Sequence, residues 1–175
     1  MKLKFTVVIW LIAIIVLVAC SGKNINEDNK TQNIKELVHD YSVGNNKNSQ
    51  TASITSNELI VTNSDESKKV FDLPEDEFFV SIAPFINETH PCKIHSLTGC
   101  QGEMTEKEFD VYIEDEDGNV VLDKTLKSQA NGFIDLWLPR DKQYLIMINH
   151  EGKKVESTFS TFNGDGTCIT TMQLT

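Results

Sequence analysis

Apolar positions along the chain repeat with two different periods, and the change of period divides it. Over residues 33–41, Ile34, Leu37, Val38 and Tyr41 fall at i, i+3, i+4 and i+7, which predicts a short helix with one apolar stripe. His39 lies off that stripe, on the solvent side. Residues 21–32 are rich in Asn, Lys, Asp and Ser and read as a hydrated tether. Residues 42–56 offer little to bury and read as a loop. From Glu58 onward, short apolar runs are broken by turn residues. Strands are predicted at Leu59–Val61, Val70–Leu73, Phe78–Ala83, Phe109–Glu114, Val120–Leu122, Phe133–Leu138, Tyr144–Ile148, Val155–Phe162 and Thr167–Leu174. Pro74, Pro84 and Pro139 stop runs, and Asp117-Gly118 and Asn131-Gly132 mark turns. Alternation places Phe109, Val111 and Ile113 on one face, and Cys168, Thr170, Met172 and Leu174 on another.

Closely spaced strands without intervening helices exclude βαβ units. They predict a mainly β domain over residues 57–175, an antiparallel β-sandwich whose strand and turn order resembles prealbumin-type modules. The short helix and polar tether precede it within residues 20–56. The N-terminus sets the compartment. Lys2 and Lys4 are followed by an apolar run of fifteen residues, Phe5–Ala19. At ~1.5 Å per residue that run falls short of a ~30 Å hydrocarbon core. Leu17-Val18-Ala19-Cys20 reads as a bacterial lipobox, so residues 1–19 are expected to be a lipoprotein signal peptide, with Cys20 lipidated after cleavage. An uncleaved anchor or a plain secretory signal would leave the protein on the same side of the membrane. Either way the mature chain is expected outside the cytoplasm, at the cell surface or the periplasmic face.

Without Lys2 and Lys4, 14 of the 16 basic residues face 26 acidic ones, a formal charge of −12. That balance argues against nucleic acid and against docking on an anionic bilayer. With Cys20 committed to lipid, three thiols remain: Cys92, Cys100 and Cys168. Two of them share the stretch His90–Glu103, HPCKIHSLTGCQGE, with His90 and His95. Pro91 favours an extended His90, which turns His90 and Cys92 to one side. Gly99 allows a tight or left-handed backbone that swings Cys100 inward. If the fold brings Cys168 to this loop, three thiolates suit a soft ion. Cu(I) accepts two or three sulfurs; zinc would take His90 or His95 as a fourth ligand. Met172, four residues from Cys168 along a strand, is expected in the core, and Met104 is a weaker candidate donor. One disulfide with a bystander thiol is the plainer reading of the count. There is no C-x-x-C redox motif.

Other features read plainly. Counted from Asp115, the EF-hand positions for Gly and Glu hold Val120 and Leu126, so Glu114–Asn119 is a hairpin turn. His150 reads as a surface residue after a strand. Asn87-Glu88-Thr89 is a glycosylation sequon by pattern only. No Ser/His/Asp arrangement or phosphate loop stands out.

The His90–Glu103 stretch, Asn131-Gly-Phe-x-x-Leu-Trp-Leu-Pro-Arg140 and Thr167-Cys-Ile-Thr-Thr-Met172 together resemble the periplasmic copper-binding family CueP, over roughly residues 70 to 175. The N-terminus departs from that family in carrying a lipobox. The resemblance implies a copper-resistance protein that holds Cu(I) through Cys92, Cys100 and Cys168, buffers it, and supplies it to extracytoplasmic enzymes. His90 or His95 is expected as a further ligand or a neighbour of the ligands. One rival is a thiol redox enzyme, in which two thiols oxidised to a disulfide reduce two Cu(II) ions. Another is a sandwich module with one structural disulfide and a recognition role. The sequence leaves the oligomeric state open, a homodimer included.

Overall fold

The computed structural model describes residues 25–45 and 50–175. The expected signal peptide and lipobox, Cys20 included, lie outside the described residues.

Helix α1 spans Ile25–Ser42, so it begins inside the stretch expected to be a tether. No Gly or Pro interrupts those positions, and a helix extends cheaply once its packed end has nucleated it. The predicted stripe is the packed face: Ile34, Val38 and Tyr41 are buried and Leu37 packs beside them. Gly44, at φ 74°, ends the helix, with the Asn45 N–H donating back to the Asp40 carbonyl.

Among the described residues eleven strands follow: β1 (Thr51–Ile54), β2 (Glu58–Thr62), β3 (Lys68–Asp72), β4 (Glu77–Ile82), β5 (His95–Ser96), β6 (Glu108–Asp115), β7 (Val120–Lys127), β8 (Ile134–Pro139), β9 (Gln143–His150), β10 (Lys153–Ser160) and β11 (Cys168–Ile169). They form three sheets, ordered β3-β2-β1-β5, β11-β4-β8 and β10-β9-β6-β7. All pairings are antiparallel except β11 with β4, which is parallel. The architecture is the mainly β sandwich that the pattern predicts.

Two further local expectations fail. Residues 51–54, expected as loop, form β1, because Ala52 and Ile54 gain partners in Val61 and Leu59 across β2. A four-residue strand has too few apolar positions to announce itself. The last strand is shorter than expected: only Cys168–Ile169 ladder, followed by an isolated bridge between Phe85 and Gln173. Its alternation survives, since Thr170, Met172 and Leu174 are buried while Thr171 and Gln173 are exposed.

Strand β4 lies between two cores and is buried on both faces. Phe78, Val80 and Ile82 join Phe109, Val111, Ile113, Tyr144, Ile146 and Ile148 of the β10-β9-β6-β7 sheet. Phe79 joins the α1 stripe, Ala52, Ile54, Leu59 and Val61. Double burial explains why its sequence runs apolar where half-buried strands alternate. The acidic stretch forms the β6–β7 hairpin. There the Asp115 carboxylate accepts the Asp117 and Asn119 amides at 3.1 and 2.9 Å and pairs with Lys142 at 2.5 Å.

Phe79 is 1% exposed and meets Trp137 edge-on at 5.2 Å between ring centroids. Phe79→Ala is expected to cost about 3–5 kcal/mol in urea unfolding. A loss under about 1 kcal/mol would show that β4 does not join the two cores.

Candidate metal centre

The chain between β4 and β6 leaves the sheets and returns, carrying four of the candidate residues on two arms. The leading arm runs along the C-terminal segment. The Phe85 N–H donates to the Met172 carbonyl at 3.0 Å, the Leu174 N–H to the Phe85 carbonyl at 2.8 Å, and Thr89 Oγ1 to the Thr170 carbonyl at 2.7 Å. Pro91 and Cys92 come next. The trailing arm starts at β5, which pairs with β1. It turns at Ser96, whose carbonyl accepts the Gly99 and Cys100 N–H groups at 3.2 and 3.0 Å. Gly99 serves the tight alternative and has no left-handed φ: a Cβ there would sit 2.8 Å from Ser96 Oγ. Beyond it, Gly102 crosses Gly132. The Gly102 N–H donates to the Asn131 carbonyl at 2.7 Å, and a Cβ on Gly132, at φ 81°, would lie 2.6 Å from the Gly102 oxygen.

Cys168 arrives on β11, opposite Ser81 of β4. Thr167 fixes it from the side. Its hydroxyl accepts the His95 N–H at 3.1 Å and donates to the Ile54 carbonyl at 2.6 Å. Its N–H and that of Cys168 donate to the Lys93 carbonyl at 3.0 and 3.4 Å.

The result is one constellation. The donor atoms of His90, Cys92, Cys100 and Cys168 all lie within 4.8 Å of one another. Cys92 Sγ and Cys100 Sγ are 3.6 Å apart, and all three cysteines are free. His95 stands outside that group, fully buried, with Nδ1 at 3.4 Å from Cys168 Sγ. Nε2 of His90 and Nε2 of His95 are buried without a hydrogen-bond partner. Phe133 floors the site, its ring 4.6 Å from that of His95 and 6.3 Å from that of His90. Met172 and Met104 pack in the large core with Phe78 and Phe109. His150 bonds the Glu108 carbonyl and lies against Phe109, while His39 is exposed on α1.

Residues 33–173 match the family profile described as periplasmic copper-binding protein CueP. The chain belongs to the CueP family. The solved structure of S.CueP resembles it at 36% sequence identity and a TM-score of 0.75, over 81% of this chain and 89% of that one. No curated protein matches it by sequence. The CueP match begins at Asn33, so it takes in α1 and the first sheet, beyond the motif-bearing stretch from about residue 70.

Several residues around this cluster escaped the sequence reading. Phe133 lies within the Asn131–Arg140 motif and Thr167 beside Cys168, but neither is a donor type. Asp135 accepts Ser81 Oγ and Ser42 Oγ, both at 2.5 Å, and Gln129 Nε2 at 3.2 Å. Its charge acts on His95. Burial, the largest influence, lowers the His95 pKa to about 4; the Asp135 carboxylate opposes this and His90 adds to it. His95 is therefore a neutral imidazole at neutral pH. Burial likewise drives the Cys168 thiol far up, with Cys92 and Cys100 pushing the same way. The Cys100 thiol is raised too, chiefly by burial, with a backbone bond to Ser96 opposing and Cys92 adding. The Cys100 and Cys168 thiols thus keep their protons beside the neutral His95, and with Cys92 and His90 they make a soft donor set without a carboxylate. Cys92 and Cys100 are half-buried and Cys168 buried, so solvent reaches the outer pair first.

The Gly102–Gly132 crossing is testable against an open glycine. Gly118→Ala, at φ 79° with nothing within 4 Å of a Cβ, should cost about 1 kcal/mol from backbone strain alone. Gly132→Ala should cost about twice that in urea unfolding, because crowding adds to strain. Equal costs would show that the crossing is not close.

Proposed function

We propose that the protein binds Cu(I) outside the cytoplasm through the thiolates of Cys92, Cys100 and Cys168, holds the free ion low, and passes it on by ligand exchange. The observation that carries this is the convergence of three free thiols and His90 within 4.8 Å in a CueP-family chain. His90 serves as an additional donor. His95 braces Cys168 through Nδ1 and is a secondary ligand at most. Three sulfurs satisfy Cu(I), whereas zinc needs His90 to complete four ligands, so zinc is the lesser cargo. A half-open site with low coordination lets a partner's thiol or imidazole take the ion from the Cys92–Cys100 side. The Leu17–Cys20 lipobox supports a lipid anchor on Cys20, which would hold the exchange at the membrane surface.

Cupric reduction is a second reading. Cys92 and Cys100, 3.6 Å apart, can form a disulfide, releasing two protons and two electrons that reduce two Cu(II) to two Cu(I). Turnover with an added thiol reductant would separate an enzyme from a binder that reduces once.

The deciding experiment titrates the reduced, anaerobic chain from residue 21 onward with Cu(I) and with Zn²⁺ against chromogenic chelators, alongside Cys92→Ser, Cys100→Ser and Cys168→Ser. Tight binding of one Cu(I), weakened by every substitution and poorly matched by zinc, is expected. Unchanged affinity in all three variants would overturn the assignment. Because Cys100 and Cys168 are held protonated by burial, metal must displace their protons. Affinity should therefore rise with pH, by up to about tenfold per pH unit for each thiol that ionises. A flat profile between pH 6 and 8 would mean the thiols do not ionise on binding.

A further inference from the structure

Glu103 closes the loop that carries the donors. Its Oε2 accepts the backbone N–H groups of Ile86 at 2.6 Å, Asn87 at 2.9 Å and Glu88 at 3.3 Å, and its Oε1 accepts Asn87 Nδ2 at 2.9 Å. Three successive amides aimed at one point form an anion-binding nest, filled here by the protein's own side chain. These bonds, those from the Asn87 and Ile86 backbones foremost, hold the carboxyl at about 2. It stays ionised at any pH suited to copper titration.

The placement matters more than the bonds themselves. Glu103 is exposed. The two arms it joins answer to different parts of the fold. The leading arm is fastened to the C-terminal segment through Met172 and Thr170, and the trailing arm to the Asn131–Gly132 turn. Cys92 lies four residues beyond Glu88, and Cys100 three residues before Glu103. Any slip between the arms would move the two outer sulfurs apart, while Cys168 stayed fixed to β4.

Building on the thiol site proposed above, we propose that Glu103 is a positioning residue for the metal centre. By tying the Ile86–Glu88 turn to the chain beyond Cys100, it sets the spacing of the Cys92 and Cys100 thiols before an ion arrives. Pre-setting donors removes part of the ordering that binding would otherwise have to impose. A plain turn stabiliser would look alike in static geometry, and the fold supplies a comparison. Asp115 also accepts two backbone amides, but in the β6–β7 hairpin of another sheet.

The test uses the mature chain with Glu103→Ala, Glu103→Gln and Asp115→Asn, measuring Cu(I) affinity by chelator competition and the urea-unfolding midpoint. A second readout needs no copper. In a Cys168→Ser background, the Cys92 and Cys100 thiols react with oxidised glutathione to give the Cys92–Cys100 disulfide and two reduced glutathiones. The equilibrium constant reports how closely the thiols are held.

Glu103→Ala should weaken Cu(I) by about 10- to 100-fold and lower the disulfide constant by about tenfold. Glu103→Gln, which keeps the shape and one acceptor oxygen, should fall between it and the wild type, and it serves if the alanine variant does not fold. Asp115→Asn should move the unfolding midpoint and leave both thiol readouts unchanged. Wild-type affinity and disulfide constant in the Glu103 variants would overturn the proposal. So would equal losses in Asp115→Asn, which would mark the effect as general destabilisation. Absence of Cu(I) binding by the wild type would overturn the copper reading instead, and the disulfide constant alone would then decide the role of Glu103.

Discussion

The parallel pairing of β11 with β4 is the constraint on which the site depends. It sets Cys168 opposite Ser81 on a strand buried between two cores, and so gives one thiol a fixed position. Every other donor belongs to a loop that must come to it. Thr167 makes the approach specific, since its one hydroxyl joins β1 and the His95 backbone right beside Cys168. A polar side chain fully engaged at such a junction costs little to bury and rules out alternative registers.

Burial at that fixed position also governs the chemistry. A thiol sealed beside Phe133 and Ala83 is a poor thiolate until an ion compensates the charge, so Cys168 is quiet when the site is empty. The outer thiols face solvent, and His95 stays neutral beneath them. The arrangement grades the donors from accessible to buried, and the exchange proposed above rests on that gradient. The same proximity that gathers ligands makes Cys92 and Cys100 capable of pairing, and that links occupancy by metal to protection from oxidation.

Between β4 and β6, where the two-residue β5 is the one strand among the described residues, the graded site is held mostly by single contacts. Backbone hydrogen bonds to the C-terminal segment, the glycine crossing at Gly102 and Gly132, and the Glu103 carboxylate each fasten a different part of it. None of these contributes apolar burial. They supply geometry, while the two cores on either side of β4 supply the stability that the loop draws on.

Much of the architecture comes from local pattern, because side-chain alternation and turn chemistry act over a few residues. The stripe Ile34, Leu37, Val38 and Tyr41, the alternation through Phe109–Ile113, and the Pro and Gly stops announce helix, strands and class. Residue type likewise singles out Cys92, Cys100, Cys168 and the two histidines as chemistry-bearing. The sequence does not carry the pairings between distant segments. Strand β1 forms because β2 offers Val61 and Leu59 to Ala52 and Ile54, and β5 because β1 offers an edge; neither has enough residues to declare a period. Cys168 reaches Cys100 across 68 residues only through its place beside β4. The choice between the histidines is tertiary as well: His90 joins the thiols while His95, three residues after Cys92, turns into the core against Phe133. Spacing along a chain fixes what a segment can become, but distances between segments are set by which surfaces bury one another, and that is decided only when the whole chain packs.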